Sequence, residues 1–248
     1  MATRFSAEEV ERYARHLVLR ELGGPGQQAL KAARVLIVGA GGLGSPAALY
    51  LAAAGVGTIG LVDPDTVALS NLQRQVLYAT GEVGALKVDA ARERLSSLNP
   101  TIEIGSHAIV VTEANAADVI ARYTMVLDGT DDFATRFAVN AACVAASVPL
   151  VSGAIGRWTG QVGVFSGRPC YRCLVPSTPP DAETCSAVGV VGALGGVIGS
   201  IMAMEAIKLI CNAGESLTGR LLIYDALAAE TRTVRVGADP DCPVCGAG

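Results

Sequence analysis

Arg34-Val-Leu-Ile-Val-Gly-Ala-Gly-Gly-Leu-Gly44, with Thr58-Ile-Gly-Leu-Val-Asp63 after it, decides the fold of this sequence. Arg34 to Val38 is a short aliphatic run that reads as a buried strand. Glycines at 39, 41, 42 and 44 then make a turn, Ser45 to Ala54 reads as an apolar helix, and Thr58 to Val62 as a second strand ending at Asp63. Strand, glycine turn, helix and acid in this order form the dinucleotide fingerprint. Gly39, Gly41, Gly42 and Gly44 permit a tight turn and close approach to phosphates, the helix N-terminus supplies oriented N–H donors, and Asp63 can accept from ribose hydroxyls. By itself the fingerprint implies an adenosine nucleotide, with NAD or FAD as the default.

Upstream, Ser6-Ala-Glu-Glu9 is a capping box whose helix is expected to carry Tyr13, Arg15, His16 and Arg20 until Gly23-Gly-Pro-Gly26 ends it. Downstream, Ala85 to Leu98 reads as a helix stopped by Asn99-Pro100. Ile102 to Ser106, Met125 to Asp128 and Pro149 to Ser152 read as strands, separated by helical patterns at Glu113 to Tyr123 and Ala134 to Ala146. The alternation predicts an α/β fold, a Rossmann-like doubly wound, mostly parallel sheet. Past Gly153 the pattern changes to antiparallel strands, Thr159 to Phe165, Arg220 to Tyr224 and Thr231 to Val236, around one long helix from about Gly189 to Cys211. A single domain over 1–248 is expected, with N-terminal helices at 1–33, a nucleotide-binding core at 34–152 and an extension of the same sheet at 153–248.

The 19 Lys and Arg against 23 Asp and Glu leave no basic excess and no basic run, which argues against nucleic acid. Val35 to Val62 and Cys185 to Met204 are uncharged for about the length of a membrane span. Glycines break the first into strand, turn, helix, turn and strand. The second carries Gly192, Gly195, Gly196 and Gly199, spaced as in paired membrane helices but also as in a buried helix that lets another backbone approach, the reading preferred because the chain around it reads as that of a soluble protein. No membrane association is expected. The N-terminus has no apolar stretch of the secretory kind, so a cytoplasmic protein is expected.

Ser70-Asn-Leu-Gln-Arg-Gln75, Lys87 and Asp131-Asp132 point away from hydride transfer. Cations over phosphates and a carboxylate beside a metal suit phosphoryl or nucleotidyl transfer, where charge moves onto phosphate oxygens. For Arg74 and Lys87 a solvated helix face stays equally open. Cys170-Tyr-Arg-Cys173 and Cys242-Pro-Val-Cys245 have the spacing of a four-cysteine structural zinc site that staples the tail to the fold. A redox pair is disfavoured because neither motif opens a recognisable helix after a strand. Cys185 stands in a polar segment before the glycine-rich helix, where its thiol is either activated or inert. Cys143 and Cys211 read as core, and neither His16 nor His107 receives a role.

Together, Gly39-x-Gly-Gly-x-Gly44, Val62-Asp63, Ser70-Asn-Leu-Gln-Arg-Gln75, Lys87, Leu127-Asp-Gly-Thr-Asp131 and the two cysteine pairs resemble the MoeB/ThiF family, relatives of the core of ubiquitin-activating enzymes, over almost the whole chain. The resemblance implies ATP-dependent adenylation of the C-terminal glycine of a ubiquitin-like sulfur-carrier protein of thiamin or molybdopterin biosynthesis. It implies Mg²⁺ in the reaction and Zn²⁺ on Cys170, Cys173, Cys242 and Cys245. Gly39, Gly41, Gly42, Gly44, Asp63, Ser70, Asn71, Gln73, Arg74, Lys87, Asp131 and Asp132 would bind nucleotide and metal, and 153–248 would bind the carrier, which ends in Gly-Gly. Arg15 matches an arginine lent across a homodimer, and Cys185 a thiol that some members use as a covalent relay. Asp132 departs from the family's usual Asn. With little sequence after the second cysteine pair, the sulfur is expected from a separate donor of cysteine desulfurase or rhodanese type. A NAD/FAD-dependent oxidoreductase and a non-catalytic scaffold for ubiquitin-like proteins are the competing readings.

Overall fold

The computed structural model describes residues 5–179 and 189–246. In chain order the elements are α1 (Ala7–Arg12), α2 (Ala14–Leu17), α3 (Gly23–Ala32), β1 (Arg34–Val38), α4 (Gly44–Ala54), β2 (Thr58–Val62), α5 (Lys87–Leu98), β3 (Glu103–His107), α6 (Ala116–Ile120), β4 (Met125–Asp128), α7 (Phe133–Ala146), β5 (Leu150–Gly156), β6 (Thr159–Phe165), α8 (Tyr171–Leu174), α9 (Gly192–Cys211), β7 (Arg220–Asp225) and β8 (Glu230–Arg235). They build one eight-stranded sheet in the order β3-β2-β1-β4-β5-β6-β7-β8. Neighbours from β3 to β5 are parallel, and the pairs β5-β6, β6-β7 and β7-β8 are antiparallel. This is the expected doubly wound sheet with its antiparallel extension.

The pleat of β1 explains why its sequence is apolar from Val35 to Val38, after the exposed Arg34. Val35 and Ile37 enter a core with α3, α4, α5 and α9, while Leu36 and Val38 enter a second core with α6 and α7 on the opposite face. A parallel strand covered on both sides has no solvent-facing residue to make polar. At the far edge, every residue of β8 is exposed, and its sequence Glu-Thr-Arg-Thr-Val-Arg is accordingly polar.

Helix α9 is long and apolar enough to cross a membrane by length and composition, but it packs on α3, α4, β5 and β6 inside the fold. Its glycines are contact points between backbones. A Cβ on Gly195 would sit 2.6 Å from the Gly42 carbonyl oxygen, and one on Gly199 2.5 Å from that of Leu43. The buried-helix reading of the glycine spacing therefore holds.

Three local expectations need correction. The first helix does not run on to Arg20: it breaks at Tyr13, whose ring fills the space over Gly55 and whose hydroxyl accepts from Asn99 Nδ2 at 2.9 Å. Gly23-Gly-Pro-Gly26 opens α3, with proline in the first turn where its missing N–H is harmless. The helix expected from Glu113 is confined to Ala116–Ile120, because Asn115 turns back to accept from Thr112 N–H at 2.8 Å.

Candidate active site

A cleft of about 620 Å³ opens at the C-terminal ends of the parallel strands, where the connections leave β1 and β4 in opposite directions. This switch point is where open α/β sheets bind ligands. Gly39, Gly41 and Gly42 form one wall, Asp63 the end of β2, Asn71, Arg74 and Lys87 the next side, and Asp131 and Asp132 the segment after β4. The cleft gathers nine of the twelve residues expected to bind nucleotide and its metal.

The glycine turn is shaped by backbone crowding. Gly39 has φ +88°, and a Cβ on Gly44 would lie 1.9 Å from the Gly39 carbonyl oxygen, so both positions exclude side chains. Gly44 thus packs the turn and does not line the cleft. Helix α4 begins here with no side-chain cap on its first N–H groups. Such an uncapped N-terminus favours an anion.

Asp63 is buried, with Oδ2 accepting from Ala40 N–H and Oδ1 from Asp65 N–H, each at 2.9 Å. Burial pushes its carboxyl up, against the pull of Lys87 and these N–H groups. Lys87 is itself buried, 3.6 Å from Asp63 Oδ1 and 2.7 Å from Asp65 Oδ2. It is therefore no solvated surface lysine. An ammonium fixed in the floor of a cleft is placed to oppose phosphate charge. The Arg74 stem lies 3.5 Å from where a Gly42 Cβ would be, and its Nη1 donates to the Ser70 carbonyl at 3.1 Å, so the guanidinium is tied to the same wall.

Asp131 stands exposed at the lip of the cleft. Asp132 beside it caps α7, its Oδ2 accepting from Thr135 N–H at 2.8 Å. That hydrogen bond holds its carboxyl below the usual range. The extra charge of Asp132 is thus partly absorbed by the helix N-terminus, which explains how a carboxylate is tolerated there.

Ser70 and Gln73 do not line the cleft; Ser70 contributes its carbonyl to Arg74, and the Gln73 carbonyl lies 2.0 Å from a Cβ built on Gly192. Arg15 is exposed on α2, outside its own cleft. Cys185 lies outside the described residues. Sequence reasoning missed Asp65, Gln75 and Arg136, which all line the cleft. Gln75 is buried and its Oε1 has no partner. A cation inside the apolar helical pattern of 134–146 was the available signal for Arg136.

On the opposite side of α7 from solvent, Cys170, Cys173, Cys242 and Cys245 bring their sulfurs within 4.8 Å of one another. The nearest partners belong to different motifs: Cys170 to Cys242 at 3.6 Å and Cys173 to Cys245 at 3.4 Å. A tetrahedral ion with metal–sulfur bonds of about 2.3 Å needs sulfurs about 3.8 Å apart, so four thiolates fit zinc with little adjustment. Contrary to the expectation that neither motif opens a helix, Cys170 stands at the N-cap of the single turn α8 after β6. The cross-motif pairing carries the argument against a redox pair instead. Asn140 Nδ2 and Asp239 N–H donate to Cys170 and Cys173 at 3.5 and 3.4 Å, the outer-shell support expected of ligating sulfurs.

Comparison with known proteins agrees with this geometry. The ThiF family model matches residues 13–244. The chain is 46% identical over 252 residues to the sulfur carrier protein adenylyltransferase of Thermus thermophilus, covering 98% of this chain and 93% of that protein. It is 48% identical to the molybdopterin-synthase adenylyltransferase of Escherichia coli, over 97% and 98% of the two chains. It is also 48% identical to the probable adenylyltransferase/sulfurtransferase MoeZ of Mycobacterium tuberculosis, over 98% of this chain and 64% of that one. Among solved structures, E. coli MccB superposes with a TM-score of 0.84 at 24% identity, over 99% of this chain and 74% of the other, a likeness of fold. With its cleft, its cysteine cluster and these whole-length similarities, the chain belongs to the ThiF family and is an adenylyltransferase.

Proposed function

We propose that this adenylyltransferase uses ATP and Mg²⁺ to adenylate the C-terminal glycine of a ubiquitin-like sulfur-carrier protein, of the thiamin or molybdopterin type. The observation that carries the reading is the meeting of Asn71, Arg74, Lys87 and Asp131 with the glycine turn and Asp63 in one cleft. A carboxylate oxygen of the carrier attacks the α-phosphorus of ATP, the bond to the bridging oxygen of the β-phosphate breaks, and pyrophosphate leaves with the electron pair. The product is an acyl-adenylate, an electrophile that sulfur can attack. Alignment and charge neutralisation are the tasks left to the protein. Asp63 retains acceptor capacity for ribose hydroxyls, Gly42 lies beside the phosphates, Asn71, Arg74 and Lys87 oppose their charge, and Asp131 holds Mg²⁺, which supplies further neutralisation when bound. A nicotinamide or flavin reaction develops no charge on phosphate oxygens and would give these cations no catalytic task.

Structural zinc on the four cysteines, a cytoplasmic setting that keeps them reduced, and a separate sulfur donor belong to the same reading. Cys185 takes no part in adenylation itself. A second copy of the chain completes the site. Arg15 lies on α2 beside an apolar groove of about 370 Å³ between α2, α4 and α9, where Tyr50 and Met204 are 58% and 57% exposed. A groove that bares such side chains next to an arginine outside its own cleft fits a partner that covers the one and receives the other. Mixed dimers of Arg15→Ala and Lys87→Ala chains should regain part of the activity that each homodimer lacks, whereas no regain at any mixing ratio contradicts arginine sharing. The reaction is tested by carrier-dependent exchange of pyrophosphate into ATP with both types of carrier.

A further inference from the structure

Arg136 is 4% exposed and has no part in the roles assigned above. Its contacts converge on the segment that carries Asp131. Nη2 donates to the carbonyls of Thr130 and Gly153, the latter at 2.7 Å, and Nη1 donates to Ser152 Oγ at 3.1 Å and lies 3.9 Å from Asp128 Oδ2. Thr130 is also gripped from its other side, since its N–H and Oγ1 donate to Asp128 Oδ1 at 3.0 and 2.7 Å. The Thr130 carbonyl shares its peptide plane with the Asp131 nitrogen. The turn is therefore clamped immediately before the residue at the lip of the cleft, and a buried charged fork is the clamp.

The same helix reaches the cysteine cluster one turn later. Asn140 Oδ1 accepts from Tyr171 N–H at 2.8 Å, and its Nδ2 donates to Cys170 Sγ at 3.5 Å. Tyr171 in turn lays its ring 5.8 Å from the Arg136 guanidinium carbon, and Phe165 packs edge-on against that ring at 5.8 Å. Residues 136 and 140 share a face of α7 because they stand one turn apart. One helical face thus touches the Asp131 segment with its first polar side chain and the metal cluster with its second.

We propose that Arg136 is a positioning residue for Asp131, and that the four-cysteine cluster, when it holds its metal, keeps Arg136 in place through Tyr171 and Asn140. The cluster then tunes the hold of the cleft on its divalent cation from behind. The proposal rests on the reading above in one respect, that Asp131 binds a divalent cation together with nucleotide.

The test uses the zinc-loaded full chain, with Mn²⁺ as the probe followed by electron paramagnetic resonance in the presence of a non-hydrolysable ATP analogue. It needs neither carrier protein nor turnover. Arg136→Ala should weaken Mn²⁺ binding about tenfold or more, the range that groups behind a metal ligand command. Arg136→Lys should recover only part of this, since one ammonium cannot serve both the two carbonyls held by Nη2 and the Ser152 hydroxyl held by Nη1. Asn140→Ala, and wild-type protein stripped of zinc and desalted, should shift Mn²⁺ affinity in the same direction, with recovery on reloading the stripped protein. If Arg136→Ala fails to fold, these two samples carry the test. Mn²⁺ affinity within twofold of wild type in folded Arg136→Ala overturns the positioning role, and the same result in folded zinc-free protein overturns the coupling. No Mn²⁺ binding to the wild-type complex with the analogue overturns the reading of Asp131 itself, and this inference with it.

Discussion

Alanine at two adjacent positions of α9 should move stability in opposite directions. A Cβ on Gly196 meets nothing within 4 Å, whereas one on Gly195 lies 2.6 Å from the Gly42 carbonyl oxygen, 0.8 Å inside the 3.4 Å at which ordinary contact begins. Alanine is about 1 kcal/mol better than glycine within a helix, so Gly196→Ala should stabilise by about that amount. Gly195→Ala has the same gain, opposed by crowding against a carbonyl that cannot rotate away. Overpacking of this kind costs about 1–3 kcal/mol, which leaves Gly195→Ala between neutral and about 2 kcal/mol destabilised. At about 2–4 °C per kcal/mol for a chain of this size, the two variants should melt roughly 2–12 °C apart. Because Gly42 lines the cleft, Gly195→Ala should also raise the KM for ATP while Gly196→Ala leaves it unchanged. Differential scanning calorimetry and ATP kinetics read both effects. Equal melting temperatures, or a more stable Gly195→Ala, would refute the claim that this helix is glycine-rich in order to lie against the nucleotide turn.

Three further perturbations separate structure from chemistry. Asp131→Ala removes an exposed carboxylate and should abolish pyrophosphate exchange while leaving the melting temperature within about 2 °C, as surface changes usually do; near-normal exchange by the folded variant would sink the metal role. Asp132→Ala should lose about 1 kcal/mol of stability at pH 7 through the lost cap, while Asp132→Asn, also a good cap, should lose only a few tenths. The cap lowers the Asp132 pKa, so its contribution is present above the unfolded value of about 3.9 and disappears as pH falls through the lower folded value. Urea titrations of wild type and Asp132→Ala should therefore converge in acid, and a constant difference across pH would contradict the capping account. Cys242→Ser should release the metal, which elemental analysis would detect, and lower the melting temperature; a full complement of zinc in the variant would remove Cys242 from the ligand set.

The parallel half of the sheet was legible because β1, β2 and β4 are mainly aliphatic runs and most of the helices between the strands have a clear start or stop. Asp63, Lys87 and Asp131 were legible for a related reason, since each lies at or just beyond the end of such an element. Local helix limits were not. Tyr13 breaks the first helix to fill a space over Gly55, and Gly23-Gly-Pro-Gly26 serves as a helix start, both decided by partners far along the chain. Arg136 was hidden because its burial depends on partners from three separate segments, Asp128 and Thr130, Ser152 and Gly153, and Tyr171, and no spacing rule relates them. The four cysteines were readable by motif, but the pairing across motifs emerges only when the tail returns to α8.

The central claim is tested most directly by exchange of labelled pyrophosphate into ATP, with Mg²⁺, in the presence and absence of sulfur-carrier proteins ending in Gly-Gly. The account predicts exchange that requires a carrier, is lost when its terminal glycine is removed, and is lost with Lys87→Ala or Asp131→Ala. Folded, zinc-loaded protein that binds ATP yet shows no exchange with carriers of either the thiamin or the molybdopterin type would contradict it.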